Sequence, residues 1–89
     1  MKQQSKTAVV WSQEYCSYCE SAKSLLQSFG YDVEERKIGE GGDWTKKDLI
    51  DAVPHARSVP QVFIDGIYIG GFQELRRTLT AREWLHYKN

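Results

Sequence analysis

The chain has 89 residues with twelve basic and twelve acidic side chains, so it is formally neutral, and charge makes no case for nucleic acid or an anionic membrane as its main partner. A chain of this length is expected to form one domain over residues 1–89, with a 40% hydrophobic share sufficient for a single core. No stretch approaches a membrane span, Met1-Lys2-Gln3-Gln4-Ser5-Lys6 is too polar for a signal peptide, and two cysteines are few for a secreted scaffold. A reducing cytoplasm is therefore the expected location.

In chain order, a short strand is expected over residues 6–11, where Thr7-Ala8-Val9-Val10-Trp11 is apolar enough to be covered on both faces. It gives way at Tyr15-Cys16-Ser17-Tyr18-Cys19 to a helical pattern, with Ala22, Leu25, Leu26 and Phe29 at i, i+3, i+4 and i+7. At about 100° per residue, Cys19 falls on the edge of that apolar stripe and Cys16 well off it, at the helix start. The spacing thus predicts two unlike sulfurs, one presented at a helix N-terminus and one tucked behind it. Unpaired N–H groups and the helix dipole favour a thiolate at the first. The pair reads as a redox dithiol. A CxxC is also compatible with half a zinc site, a structural disulfide or two buried cysteines. Zinc would need two more ligands, and His55 and His86 match none of the usual spacings, so both histidines read as surface residues.

The helix is expected from Cys16 to Ser28, with Gly30 as the residue that ends it. From Tyr31 to Ile38, alternation of Tyr31 and Val33 followed by Glu34-Glu35-Arg36-Lys37 suits a charged strand at a sheet edge. A loop at Gly39-Glu40-Gly41-Gly42 leads to a second helix, with Thr45 as cap, Asp48 completing a weak capping box, and Trp44 and Leu49 as a hydrophobic staple. Leu49, Ile50 and Val53 are expected to face the core, and Pro54 to stop the helix at or just before Val53. Val62-Phe63-Ile64, Asp65-Gly66 and Ile67-Tyr68-Ile69 predict a type I′ hairpin. Gly70-Gly71 then opens a helix with Phe72, Leu75 and Leu79 on one face. Thr80-Ala81-Arg82-Glu83 reads as a second capping box, so that helix is expected to break or kink near Thr80 and restart through Trp84 and Leu85. Trp11, Phe29, Phe63 and Trp84 read as core aromatics. The order β-α-β-α-β-β-α predicts an α/β sandwich around a four-stranded mixed sheet.

Three blocks together resemble the glutaredoxin family, small members of the thioredoxin fold: Cys16-Ser17-Tyr18-Cys19, Arg57-Ser58-Val59-Pro60-Gln61-Val62-Phe63-Ile64-Asp65-Gly66, and Ile69-Gly70-Gly71-Phe72-Gln73-Glu74-Leu75. The resemblance covers nearly the whole chain. It implies a strand order 2-1-3-4 and a cis peptide before Pro60, beside the dithiol, with the Val59 main chain turned outward to pair with an extended thiol substrate. It implies glutathione as reductant and co-substrate. On that reading the N–H groups after Gly71, those of Phe72, Gln73 and Glu74, receive the γ-glutamyl carboxylate. The Glu74 side chain pairs with the amino group, Val59 holds the cysteinyl backbone, Tyr18 lines the groove, and Arg57 is a candidate for the glycyl carboxylate.

Three departures from the family pattern stand out. Gln13 occupies the glutathione-side position, three residues before the first cysteine, that the family often fills with Lys or Arg. Glu74 replaces a common Asp. Ser17 replaces the Pro between the cysteines, which loosens the first helical turn; some family members without that Pro hold a [2Fe-2S] cluster between two subunits, ligated here through Cys16 and glutathione. The implied activity is reduction of glutathionylated or disulfide-bearing proteins, ribonucleotide reductase among the family's usual partners, by a monomer with Cys16 as nucleophile and Cys19 as resolving thiol. A cluster-carrying dimer, a thioredoxin-like reductant and a non-catalytic binding module are the competing readings.

Overall fold

The computed structural model describes residues 6–88, and the side chains of residues 6–81. Its elements are β1 (Thr7–Ser12), α1 (Ser17–Ser28), β2 (Asp32–Lys37), α2 (Lys46–Ala52), β3 (Gln61–Ile64), β4 (Ile67–Gly70) and α3 (Phe72–Lys88). The four strands form one sheet in the order β2-β1-β3-β4, parallel between β1 and β2 and antiparallel elsewhere. This is the expected mixed sheet, with β1 inside and the charged β2 at an edge.

The period of two along each strand sorts the side chains into two layers. Ala8 and Val10 of β1 and Val62 and Ile64 of β3 face α1 and α3, where they meet Ala22, Leu26, Leu75 and Leu79. Trp11 points to the opposite face with Ile38, Leu49 and Val53, and Val9, Trp44, Val59 and Phe63 pack around them. Trp44 meets Trp11 edge-on at 5.3 Å and shares a cluster with Leu49, as a staple residue should. Of the expected core aromatics, Trp11 is buried, and Phe29 and Phe63 are half-buried against the two clusters. The side chains of Trp84, Leu85 and His86 lie outside the described residues.

Turn chemistry fixes the connections. Gly30, at φ 88°, follows the α1 cap residue Phe29 and returns the chain to β2. Asp65 and Gly66 both take positive φ, 51° and 80°, which is the type I′ hairpin. Both halves of the α2 capping box are made: the Asp48 N–H donates to Thr45 Oγ1 at 3.0 Å, and the Thr45 N–H to Asp48 Oδ2 at 2.8 Å.

Two expectations are corrected. Helix α3 does not break near Thr80 but continues from Phe72 to Lys88. Leu75 and Leu79 are buried on one face of it, and a cap would require Thr80 to leave helical geometry and give up the backbone bonds of that turn. Ile50 is half-buried and lines a surface groove beside Leu49 instead of entering the core.

Candidate active site

The site lies at the end of the sheet where β1 runs into α1 and where the segment before β3 turns back. Tyr15 takes left-handed backbone geometry, φ 57°, and its side chain is fully exposed. The next residue, Cys16, is the N-cap of α1, with extended backbone and a half-buried side chain. Cys16 and Cys19 are joined as a disulfide. Cys19 is fully buried, so the helical phase expected from the apolar stripe holds, with Cys19 inside and Cys16 at the rim.

Cys16 sulfur occupies the place where a capping oxygen usually sits. The Cys19 N–H donates to Cys16 Sγ at 3.1 Å. That N–H is one of the donors at a helix start that have no partner inside the helix. From the other side, the Val59 carbonyl oxygen lies 4.0 Å from Cys16 Sγ. The Val59-Pro60 peptide is cis.

Cys16 opens onto a groove of about 430 Å³ whose walls include Gln13, Tyr18, Arg57 and Val59. Five of the residues singled out in the sequence are thus brought to one cleft. Pro60 is buried behind it. Gly71, Phe72, Gln73 and Glu74 do not line the groove; they start α3 on the far side of Tyr18, whose ring lies 5.6 Å from that of Phe72. Gly71 abuts the Pro60 main chain: a Cβ there would sit 3.6 Å from the Pro60 carbonyl oxygen. Glu74 Oε1 accepts from the Gly71 N–H at 3.0 Å, so this carboxylate caps its own helix.

Lys46 also lines the groove, a placement the sequence did not suggest. It precedes Ile50 by one helical turn, and both point to the cleft. Placing Ile50 in the core turned that face of α2 the wrong way. His55 is exposed, its ring 5.7 Å from Tyr68, edge-on. Among the described residues, no group of three or more His, Cys, Asp or Glu side chains could hold a metal ion, and no helix is long and apolar enough to cross a membrane.

Comparison with known proteins agrees with this geometry. The family model for glutaredoxin matches residues 8–69. Glutaredoxin 3 of Escherichia coli K12 is 36% identical over 66 residues, 74% of this chain and 77% of that one. Glutaredoxin-C4 of Arabidopsis thaliana is 34% identical over 68 residues, 71% of this chain but only 47% of the plant protein's length. Among solved structures, Glutaredoxin 1 from Francisella tularensis complexed with cacodylate superposes with a TM-score of 0.71 at 25% identity, over 92% of this chain and 99% of that one. A buckwheat glutaredoxin–glutathione complex gives 0.70 at 28% identity, over 90% and 74%.

Proposed function

The chain belongs to the glutaredoxin family, and on that footing we propose that it is a glutathione-dependent thiol–disulfide oxidoreductase with Cys16 as its nucleophile. One observation carries the assignment of roles. Cys16 Sγ receives the Cys19 N–H at the helix start and opens on the groove, whereas Cys19 is fully buried. In the reduced protein the same N–H and the helix dipole favour negative charge on Cys16 sulfur.

The Cys16 thiolate attacks the glutathione sulfur of a protein–glutathione mixed disulfide. A Cys16–glutathione disulfide forms and the protein thiolate leaves, taking up a proton from water. A second glutathione thiolate then attacks that sulfur, giving oxidised glutathione and restoring the Cys16 thiolate. With a protein disulfide as substrate, Cys16 becomes linked to the protein. Cys19 then attacks Cys16 sulfur, closes the Cys16–Cys19 disulfide and expels the reduced protein, and two glutathiones reduce the pair.

The groove supports glutathione as the small partner. Lys46 and Arg57 supply two cations at its wall, which suit the glycyl carboxylate and offset the neutral Gln13. The Val59 main chain suits the cysteinyl backbone. The α3 start, beyond Tyr18, suits the γ-glutamyl carboxylate, with the remaining oxygen of Glu74 toward the amino group. The buckwheat relative was solved as a glutathione complex, which favours this class of ligand. A [2Fe-2S] cluster shared by two subunits would take its one protein sulfur from the accessible Cys16, since Cys19 is buried, with glutathione supplying the other ligand; no step of the reaction runs through it. A cytoplasmic monomer is the setting we propose.

The test is reduction of a glutathione mixed disulfide and of a protein disulfide by wild type, Cys16→Ser and Cys19→Ser. Cys16→Ser should lose both activities, and Cys19→Ser should keep the first and lose the second. Full activity of Cys16→Ser on the mixed disulfide would refute the assignment.

A further inference from the structure

Gln61 is a buried amide at the start of an otherwise apolar strand, 8% exposed. Burying an amide is unfavourable unless its ends are bonded. Both ends are. Gln61 Nε2 donates to the Ser58 carbonyl oxygen at 2.9 Å, and Gln61 Oε1 accepts from the Tyr68 hydroxyl at 2.6 Å. The orientation of the amide follows from the partners. A main-chain carbonyl only accepts, so the NH₂ end must face Ser58, and the phenol must then donate to the other end.

Tyr68 is well placed to stay a donor. Its ring centre lies 5.4 Å from that of Phe63 and 5.7 Å from that of His55, nearly perpendicular to the imidazole. Burial, and then the charge of Glu74, push its pKa above the ordinary tyrosine value, so the phenol keeps its proton at neutral pH.

The acceptor at the far end of this chain of bonds belongs to a peptide that faces the substrate. The Ser58 carbonyl and the Val59 N–H are parts of one planar trans unit and point in opposite directions. Fixing one fixes the other. Pro60, next along, has no N–H with which to tether the segment from its other side. Val59 itself lines the groove, with its carbonyl oxygen 4.0 Å from Cys16 Sγ.

We infer that Tyr68 and Gln61 are positioning residues, a strut from β4 that holds the Ser58–Val59 peptide in the orientation in which Val59 receives the substrate main chain. The inference rests on the reading of Val59 given under the proposed function. The strut touches neither sulfur, so it acts on recognition and leaves the reactivity of Cys16 unchanged.

Tyr68→Phe removes the outer bond and keeps the ring. Gln61→Met keeps the volume of the inner link and removes both bonds. Each should raise KM for a glutathione mixed disulfide about fivefold, the factor one hydrogen bond of ordinary strength represents, with kcat and the pH profile of Cys16 alkylation unchanged. Because the links act in series, the double variant should be no worse than Gln61→Met alone. In the unliganded variants, the ¹⁵N order parameter of the Val59 amide should fall. Wild-type KM in both single variants, or losses that multiply in the double variant, would overturn the strut. If wild-type protein does not reduce the mixed disulfide at all, the functional reading fails instead. The Val59 order parameter then decides the strut alone: a fall supports it, and no change refutes it.

Discussion

Glu35 sits in a run of four charged residues on an edge strand, yet it is tied on both sides. The buried Ser12 hydroxyl donates to Glu35 Oε2 at 2.6 Å, and Lys23 of α1 reaches Glu35 Oε1 at 3.0 Å and Glu20 Oε2 at 3.1 Å. The Ser12 hydrogen bond, and then that of Lys23, outweigh burial and hold the Glu35 carboxyl below its usual pKa. Burial alone would lower the Lys23 pKa, but its hydrogen bonds to Glu35 and Glu20 outweigh this and raise it. A depressed carboxylate contributes stability above its unfolded pKa, near 4.5, and loses that contribution as pH falls through the lower folded value. For Lys23 the contribution is complete below 10.5 and is lost as pH rises through the folded value. Glu35→Gln should therefore lower unfolding free energy at pH 7 by about 1–2 kcal/mol and flatten its decline as pH falls through and below 4.5. Urea titrations across that range measure both, and an unchanged acid limb would refute the coupling. The cluster was hidden in the sequence for a physical reason. Four successive charges read as a solvated edge, and nothing local says which of them meets a lysine on a helix that precedes the strand.

At the scale of an element, α2 is the exposed case, because seven residues give two turns and helix nucleation is costly at that length. Its reciprocal Thr45–Asp48 box therefore matters more than a cap on a long helix would. Thr45→Ala should cost about 1 kcal/mol of stability, read from the urea midpoint at unchanged slope. If the groove binds glutathione as proposed, Thr45→Ala should also raise KM for glutathione, since Lys46 and Ile50 line the groove from this helix. A drop in stability with an unchanged KM would detach the helix from the groove. Elements signalled by local chemistry were legible: the dithiol helix with its glycine stop, the Asp65-Gly66 hairpin and the α2 cap each follow from one short continuous stretch of the chain. Phase in so short a helix was not, because the apolar residues Leu49, Ile50 and Val53 cover too little of the turn to show which of them looks outward. The Thr80–Glu83 pattern failed in the opposite way, when tertiary burial of the helix face overrode a plausible local cap. In the sequence Tyr68 stands only as part of the hairpin and Gln61 only within the Arg57–Gly66 block; the visible hint is one amide beside apolar strand residues.

The whole molecule is lopsided about its sheet. Among the described residues, the face toward α1 and α3 buries nine residues in one cluster, and the face toward α2 buries four, Trp11, Ile38, Leu49 and Val53. On the thinner side an apolar hollow of about 350 Å³ remains between Val9, Trp11, Ala52 and Phe63. The Arg36 guanidinium stacks 4.5 Å from the Trp44 ring and 5.3 Å from that of Trp11, covering aromatic surface that the short helix does not reach. Free energy of local opening follows buried apolar contact, so the two layers should not open together. Native-state hydrogen exchange should find α2 amides opening at lower free energy than those of β1, β3 and α1. Leu26→Ala, in the larger cluster, should lower global stability by about 2–5 kcal/mol and reduce protection throughout the slow core. Leu49→Ala should weaken α2 protection first and leave the β1–β3 ladder nearly unchanged. Equal opening energies for α2 and β1 would mean the two layers form one cooperative unit and the argument from their unequal burial fails. If the layers do separate, glutathione occupying the groove beside Lys46, Leu49 and Ile50 should raise α2 protection selectively, because a ligand that contacts only the closed helix stabilises that state by its own binding free energy.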